Sequence, residues 1–201
     1  MRIGLIPGSF KPYHKGHDDL IRLAADENEN DFVRVYNSTA DRGIVKGKDA
    51  IEVINRFVIP TLPQNVEMIS SRAPVADMFK DLETADAERS KNIYTIYSDI
   101  EDIKKYNEKT LRKYLPYLFE KGQIKVKGIK RGLRTTNISG TEMRNIIQDR
   151  NDQNFQKFKE MLPSDVQQNA EEILRILSRG ITKESLLRRY IKTILENKNL
   201  V

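Results

Sequence analysis

The chain has no cysteine and no tryptophan, and only two of its 201 residues are histidine. Without cysteine it can form neither disulfides nor thiolate metal centres, and sulfur redox chemistry is excluded. No apolar run approaches the roughly 20 residues that a membrane-spanning helix needs. The opening MRIGLIPG is broken too early, at Pro7-Gly8, to act as a signal peptide, so the expectation is a soluble, cytoplasmic protein with no membrane partner. Internal repeats and low-complexity tracts are missing as well. What remains is a chain with 38% hydrophobic residues, long enough for one domain with a real core. Lys+Arg 35 against Asp+Glu 29 leaves it at +6, a balance that favours anionic partners: phosphorylated small molecules or nucleic acid.

Short β-prone runs alternate with helix-period stretches. RIGLI (Arg2 to Ile6), FVRVY (Phe32 to Tyr36), VEMIS (Val66 to Ser70), NIYTIYS (Asn92 to Ser98) and QIKVKGI (Gln123 to Ile129) are the predicted strands. Between them lie the predicted helices DDLIRLAA, DAIEVINRFVI with Ile51, Ile54 and Val58 at helical spacing, and PVADMFKDL with Pro74 in its first turn. Polar helical sequence follows Asp99. The alternation predicts an α/β, Rossmann-like fold over residues 1–150: a parallel five-stranded sheet with helices on both faces. Residues 151–201 read as a helical C-terminal extension. There VQQNAEEILRIL carries Val166, Ala170, Ile173, Leu174 and Leu177 on one face, and KESLLRRYIKTIL carries Leu187, Tyr190, Ile191, Ile194 and Leu195 after the N-cap Thr182. Both helices are expected to pack back on the core. Gly180 makes a break before the last one, which leaves a docking or homo-oligomerisation role for it open.

Ligands of such sheets bind beyond the carboxyl ends of the strands. Both histidines fall there, in PGSFKPYHKGHDDL after the first predicted strand. A glycine-containing turn that opens a helix presents free backbone N–H groups and the positive end of the helix dipole, which suits a phosphate. Gly8 and Gly16 let the backbone approach a ligand with no Cβ in the way, Pro12 stiffens the connection, and His14 and His17 add side-chain donors. Three other readings stand beside this one: a metal site completed by Asp18 or Asp19, an ordinary solvated loop, and a basic amphipathic start, which would not explain the two glycines. Further along, ISGTEMR (Ile138 to Arg144) offers the hydroxyls of Ser139 and Thr141, the open backbone of Gly140 and the fork of Arg144 at another helix start. Read alone, that segment is an ordinary N-cap followed by a solvated arginine. KGIKRGLR (Lys127 to Arg134) places Lys130, Arg131 and Arg134 nearby, as phosphate ligands or as charged surface.

The first segment, GSFKPYHKGH, matches G-x-F-x-P-x-H-x-G-H, the first signature of the nucleotidylyltransferase superfamily. ISGTEMR resembles the second, I-S-[ST or G]-T-x-x-R. The resemblance spans about residues 1 to 147. The opening looks like that of phosphopantetheine adenylyltransferases, while H-x-G-H with S-G-T-x-x-R looks like nicotinamide mononucleotide adenylyltransferases. It implies a HUP-type Rossmann-like fold and direct displacement at the α-phosphorus of a nucleoside triphosphate by a phosphorylated acceptor such as nicotinamide mononucleotide. Pyrophosphate leaves without a covalent enzyme intermediate, and Mg²⁺ accompanies ATP or CTP with no dedicated protein metal site. By the same resemblance His17, His14 and Arg144 are catalytic, and Gly8, Ser9, Phe10, His14, Gly16, His17, Ile138, Ser139, Gly140, Thr141 and Arg144 hold the nucleotide. Ser9, Arg42, Lys46, Arg131 and Arg134 are the candidates for substrate phosphate. Family members carry a cation in the loop after the second strand, here NSTADRGIVKGKD with Arg42, Lys46 and Lys48; Arg42 is taken first and Lys46 second. A cytidylyltransferase is the rival, because RTTNISGT also resembles R-T-x-G-I-S-T-T, departing from it at Asn137 and Gly140; these departures favour ATP. A nucleic-acid-binding or structural role on the same fold is permitted by charge but disfavoured, since the basic residues are not interleaved with aromatics. A tRNA-charging enzyme is not expected, since no K-M-S-K-S loop is recognisable and 201 residues leave no room for an anticodon domain.

Overall fold

The computed structural model describes residues 1–26, 28–130, 132, 135–149 and 151–181. The last predicted helix with its N-cap Thr182, and the candidate cations Arg131 and Arg134, lie outside the described residues.

Five parallel strands form one sheet: β1 (Arg2–Gly8), β2 (Phe32–Ser38), β3 (Val66–Ser71), β4 (Ile93–Asp99) and β5 (Ile124–Ile129), in the order β3-β2-β1-β4-β5. Eight α-helices are described: α1 (Lys15–Ala24), α2 (Gly47–Val53), α3 (Pro74–Ala87), α4 (Glu108–Tyr114), α5 (Pro116–Glu120), α6 (Gly140–Gln148), α7 (Asp152–Met161) and α8 (Ala170–Leu177). This is the Rossmann-like α/β architecture that the alternation predicts.

The strands read as nearly unbroken apolar runs because both faces of the sheet are covered. Successive side chains point to opposite faces, so Leu5 joins Met78, Leu82, Ile96 and Leu118 under α3 and α5, while Ile6 joins Ile21, Val33, Val35 and Val58 under α1. Each such side chain, fully buried, contributes about 1.5–3 kcal/mol of transfer free energy. A third cluster holds Val53, Met143, Phe158 and Ile173, so α2, α6, α7 and α8 close on one another. Ion pairs Arg56–Glu172 and Arg179–Glu52 lie over this junction.

The second predicted helix is not one regular α-helix. After α2 the chain makes a π-helical segment (Ile54–Val58) and a 3-10 turn (Ile59–Thr61). Pro60 has no N–H to continue an α ladder, so the helix has to end there. VQQNAEEILRIL likewise divides into a 3-10 stretch (Ser164–Asn169) and α8.

The chain steps outward from β1 to β3, returns to β4 on the other side of β1, and continues to β5. The strand order therefore reverses between β1 and β4, which opens a crevice beyond their carboxyl ends.

Candidate functional site

Three segments meet at that crevice. The first is the loop from β1 to α1. Phe10 has φ 45°, a left-handed backbone that side-chain-bearing residues rarely adopt, and its ring is 3% exposed, packed edge-on against His17 with centroids 5.0 Å apart. Such a backbone costs on the order of 1–3 kcal/mol, and the buried ring offsets it. The carbonyl of His14 accepts from the N–H groups of His17 and Asp18 (2.9 and 3.1 Å), starting α1. The three-residue spacing stacks the two imidazoles, with centroids 3.6 Å apart and 21° between planes.

Both glycines of this loop also pack closely against protein. A Cβ on Gly8 would lie 2.8 Å from the Phe10 ring, and one on Gly16 would lie 2.7 Å from the Thr136 carbonyl oxygen. The second contact is backbone against backbone, between the start of α1 and the segment that leads into α6. Asp19 fastens the same contact, its carboxylate accepting from the Thr136 N–H (2.7 Å) and Oγ1 (2.5 Å). Asp18 accepts from the Tyr13 hydroxyl (2.9 Å) and Arg22 Nε (2.7 Å); burial, reinforced by Asp18, holds the Tyr13 phenol well above its ordinary pKa. Both carboxylates invoked for a metal site are thus engaged in packing.

The second segment is the start of α6. Ser139 caps it, Oγ accepting from the Thr141 N–H at 3.2 Å. Arg144 is not a solvated arginine: it donates to Thr141 Oγ1 (2.8 Å) and reaches across to the Lys11 carbonyl (2.9 Å). Burial, with Arg42 nearby, lowers its pKa from the ordinary arginine value.

The third segment joins β2 to α2. Asp41 accepts from the Gly47 N–H (2.8 Å) and pairs with Lys46 (2.9 Å), while Arg42 and Val45 exchange backbone hydrogen bonds (2.9 and 3.2 Å). Lys11, 2% exposed, donates from Nζ to the Ala40 carbonyl at 2.6 Å. Sequence alone marks this lysine for no role, and marks Asp19 only as a candidate metal ligand, not as the tie to Thr136.

A cleft of about 270 Å³ is lined by Gly8, Ser9, Phe10, Lys11, His14 and His17 from the first segment, Ser139, Gly140, Thr141 and Arg144 from the second, Arg42 from the third, and Ser98 and Asp99 at the end of β4. A smaller cavity of about 70 Å³ adjoins it between Gly16, Leu20, Ile129, Thr136 and Ile138. Beyond Ser9, a further hollow of about 270 Å³ runs toward Pro74, Val75, Lys105 and Tyr106. The crevice therefore gathers His14, His17, Arg144 and Arg42, with Gly16 and Ile138 beside them. Lys46 and Lys48 do not line it. Lys46 is held by Asp41 and Lys105 by Asp102, whereas among the described residues Lys11, Arg42 and Arg144 have no ion-pair partner. The cleft thus concentrates positive charge beside the N-termini of α1 and α6, an arrangement suited to a polyphosphate.

No protein-family model matches the chain. Among curated proteins, phosphopantetheine adenylyltransferase of Clostridium perfringens is 34% identical over 80 residues, 40% of this chain and 48% of that protein. The enzyme of the same name from Thermobifida fusca is 39% identical over 54 residues, 27% of this chain and 33% of that protein. The chain thus spans half the length, or less, of these curated relatives. Among solved structures, Plasmodium falciparum nicotinic acid mononucleotide adenylyltransferase complexed with APC shares the fold, with a TM-score of 0.60 at 13% identity over 89% of this chain and 96% of that one. Its complex with NaAD gives 0.58 at 14% identity over 89% and 97%. In sequence the chain resembles nucleotidylyltransferases, and in fold it is similar to one of them.

Proposed function

We propose that this chain is an adenylyltransferase of the nucleotidylyltransferase superfamily, transferring AMP from ATP to a phosphorylated small-molecule acceptor and releasing pyrophosphate. The observation that carries this reading is the convergence of both signature segments, with their histidines, hydroxyls and arginine, on one cleft at the strand-order reversal. The curated relatives that match part of the chain are named phosphopantetheine adenylyltransferase, and the similar fold is that of a nicotinic acid mononucleotide adenylyltransferase. Phosphopantetheine, nicotinamide mononucleotide and nicotinic acid mononucleotide are accordingly the first acceptors to test.

In the reaction an acceptor phosphate oxygen forms a bond to the α-phosphorus as the bond to the pyrophosphate oxygen breaks, and pyrophosphate takes away the electron pair. Alignment and charge stabilisation carry such a transfer, so cations and donors suffice and no protein nucleophile is required. His17, on the first turn of α1, donates to the α-phosphoryl oxygens as charge shifts in the transition state. His14 and Arg144 bind the triphosphate, Arg144 on the β- and γ-phosphates together with the Ser139–Thr141 turn. The apolar edges of Leu20, Ile129 and Ile138 receive the base, and the hollow beyond Ser9 receives the acceptor. Mg²⁺ would enter with the triphosphate, and the Asp99 carboxylate lines the cleft that would hold it. Bound there, it would neutralise phosphate charge.

The test is pyrophosphate release from ATP and Mg²⁺ with each acceptor in turn, repeated with CTP. Release that depends on the acceptor and prefers ATP is the expected result. Release at full rate from ATP and water alone would identify a hydrolase, and preference for CTP a cytidylyltransferase. No release with any acceptor, together with tight binding of nucleic acid, would favour the binding-protein alternative.

A further inference from the structure

Lys11 stands at an unspecified position of the first signature, so the resemblance assigns it nothing. A lysine is almost never this buried without a charged partner. Here the ammonium is 2.6 Å from a single carbonyl oxygen, that of Ala40, two residues before Arg42. The carbonyl of Lys11 is in turn the acceptor for Arg144 Nη1. One residue thus ties the β1–α1 loop to both the β2–α2 loop and α6. Among the described residues the β2–α2 loop is otherwise bonded to itself, through Asp41 to Gly47 and Arg42 to Val45, and to strand ends through Thr39 N–H to the Ser71 carbonyl (2.7 Å) and Ala40 N–H to Ser38 Oγ (3.2 Å). Its tip rests on Arg144: Gly43 has φ 59°, and a Cβ there would lie 3.5 Å from Arg144 Cδ.

We infer that Lys11 is a positioning residue that, through the Ala40 carbonyl, holds the β2–α2 loop so that Arg42 joins Arg144 on the phosphates of the bound nucleotide. The inference rests on the proposed reading of the cleft as a polyphosphate site. Three cations without carboxylate partners crowd this corner, and burial together with Arg42 lowers the Lys11 pKa against the opposing pull of Asp41. The arrangement is held against charge repulsion, and a polyphosphate in the cleft relieves it.

The experiment is a double-mutant cycle on the full chain, with Lys11→Met and Arg42→Ala, read as affinity for a non-hydrolysable ATP analogue by calorimetry. Each single change is expected to weaken binding about tenfold. Because Lys11 acts through Arg42, the double variant should be little weaker than either single one. Losses that multiply to about a hundredfold would overturn the inference, since Lys11 would then act independently of Arg42. A second arm needs no ligand: tryptic cleavage after Arg42, followed by mass spectrometry, should be faster in Lys11→Met than in the parent, and an unchanged rate would overturn the tether. Should the parent fail to bind the analogue, the nucleotide reading falls, while the protease arm still decides whether Lys11 holds the loop. Lys11→Gln replaces Lys11→Met if circular dichroism shows the latter unfolded.

Discussion

The loops that leave the neighbouring strands β1 and β2 both reach the cleft, yet they are built in opposite ways. In the first, Phe10, Lys11, Tyr13 and His14 are all buried; in the second, Asp41, Arg42 and Gly43 are all exposed. Side-chain packing fixes the first loop, whereas the second is held through its backbone groups, by one another, by the Asp41 carboxylate and by the Lys11 ammonium. A loop held by packing constrains nearly every residue type along it, which is why GSFKPYHKGH is readable as a pattern. A loop held at its backbone shows no such pattern, and its cations Arg42, Lys46 and Lys48 are ranked by resemblance alone, Arg42 first.

The largest effect should come from the packed loop. If His17 donates mainly in the transition state, His17→Ala should lower kcat by about 10²–10³ while changing ATP affinity little. His14→Ala should also raise the ATP KM, because its contribution is spread evenly between ground and transition states. Steady-state kinetics on both variants checks this. Near-normal kcat for His17→Ala would remove the catalytic role from the packed loop.

The backbone-built loop should instead fail through stability. A Cβ on Gly47 would lie 1.8 Å from the Thr39 carbonyl oxygen, so Gly47→Ala cannot keep the turn that Asp41 closes. A loss of about 3 kcal/mol is expected in denaturant unfolding. A variant as stable as the parent would show that side chains, not this close approach, hold the loop.

Legibility in the sequence follows the same division. The five strands are found within one or two residues, because two buried faces make each strand an apolar run whatever its partners. Gly16 is legible as a glycine of the signature, but the Thr136 carbonyl packed against it lies far along the chain and is not. Asp19 reads as a candidate metal ligand until the fold brings it to Thr136, 117 residues away. Lys11 reads as one more charge on a basic chain. α7 was legible only as helical composition, because DQNFQKFKEM offers few apolar positions, Phe158 and Met161 among them, to a core contributed by other segments. Local periodicity reports burial; it does not report which distant group comes to meet a residue.

Next in size is Arg42→Ala, expected to weaken binding of the ATP analogue about tenfold by removing one charged donor from the cleft. Titration calorimetry reads it directly, and an unchanged affinity would leave the exposed loop outside the site.

The smallest effect belongs to the cation four residues further on. Lys46 and Asp41 pair at 2.9 Å with side chains 45% and 55% exposed, so water and salt screen the pair and it adds little. The Gly47 N–H, and secondarily Lys46, hold the Asp41 carboxyl below the usual carboxylate range. With the larger cause intact, Asp41 stays ionised at neutral pH without Lys46 and keeps closing the turn. Lys46→Met also retains the aliphatic stem that lies against Gly180, whose Cβ, if present, would be 3.2 Å from Lys46 Cγ. Analogue affinity for Lys46→Met should therefore stay within about twofold of the parent, with an unshifted thermal midpoint. A tenfold loss, equal to that of Arg42→Ala, would mean that the loop turns over when nucleotide binds and presents Lys46 instead, and the assignment of Arg42 as its cleft cation would have to be exchanged.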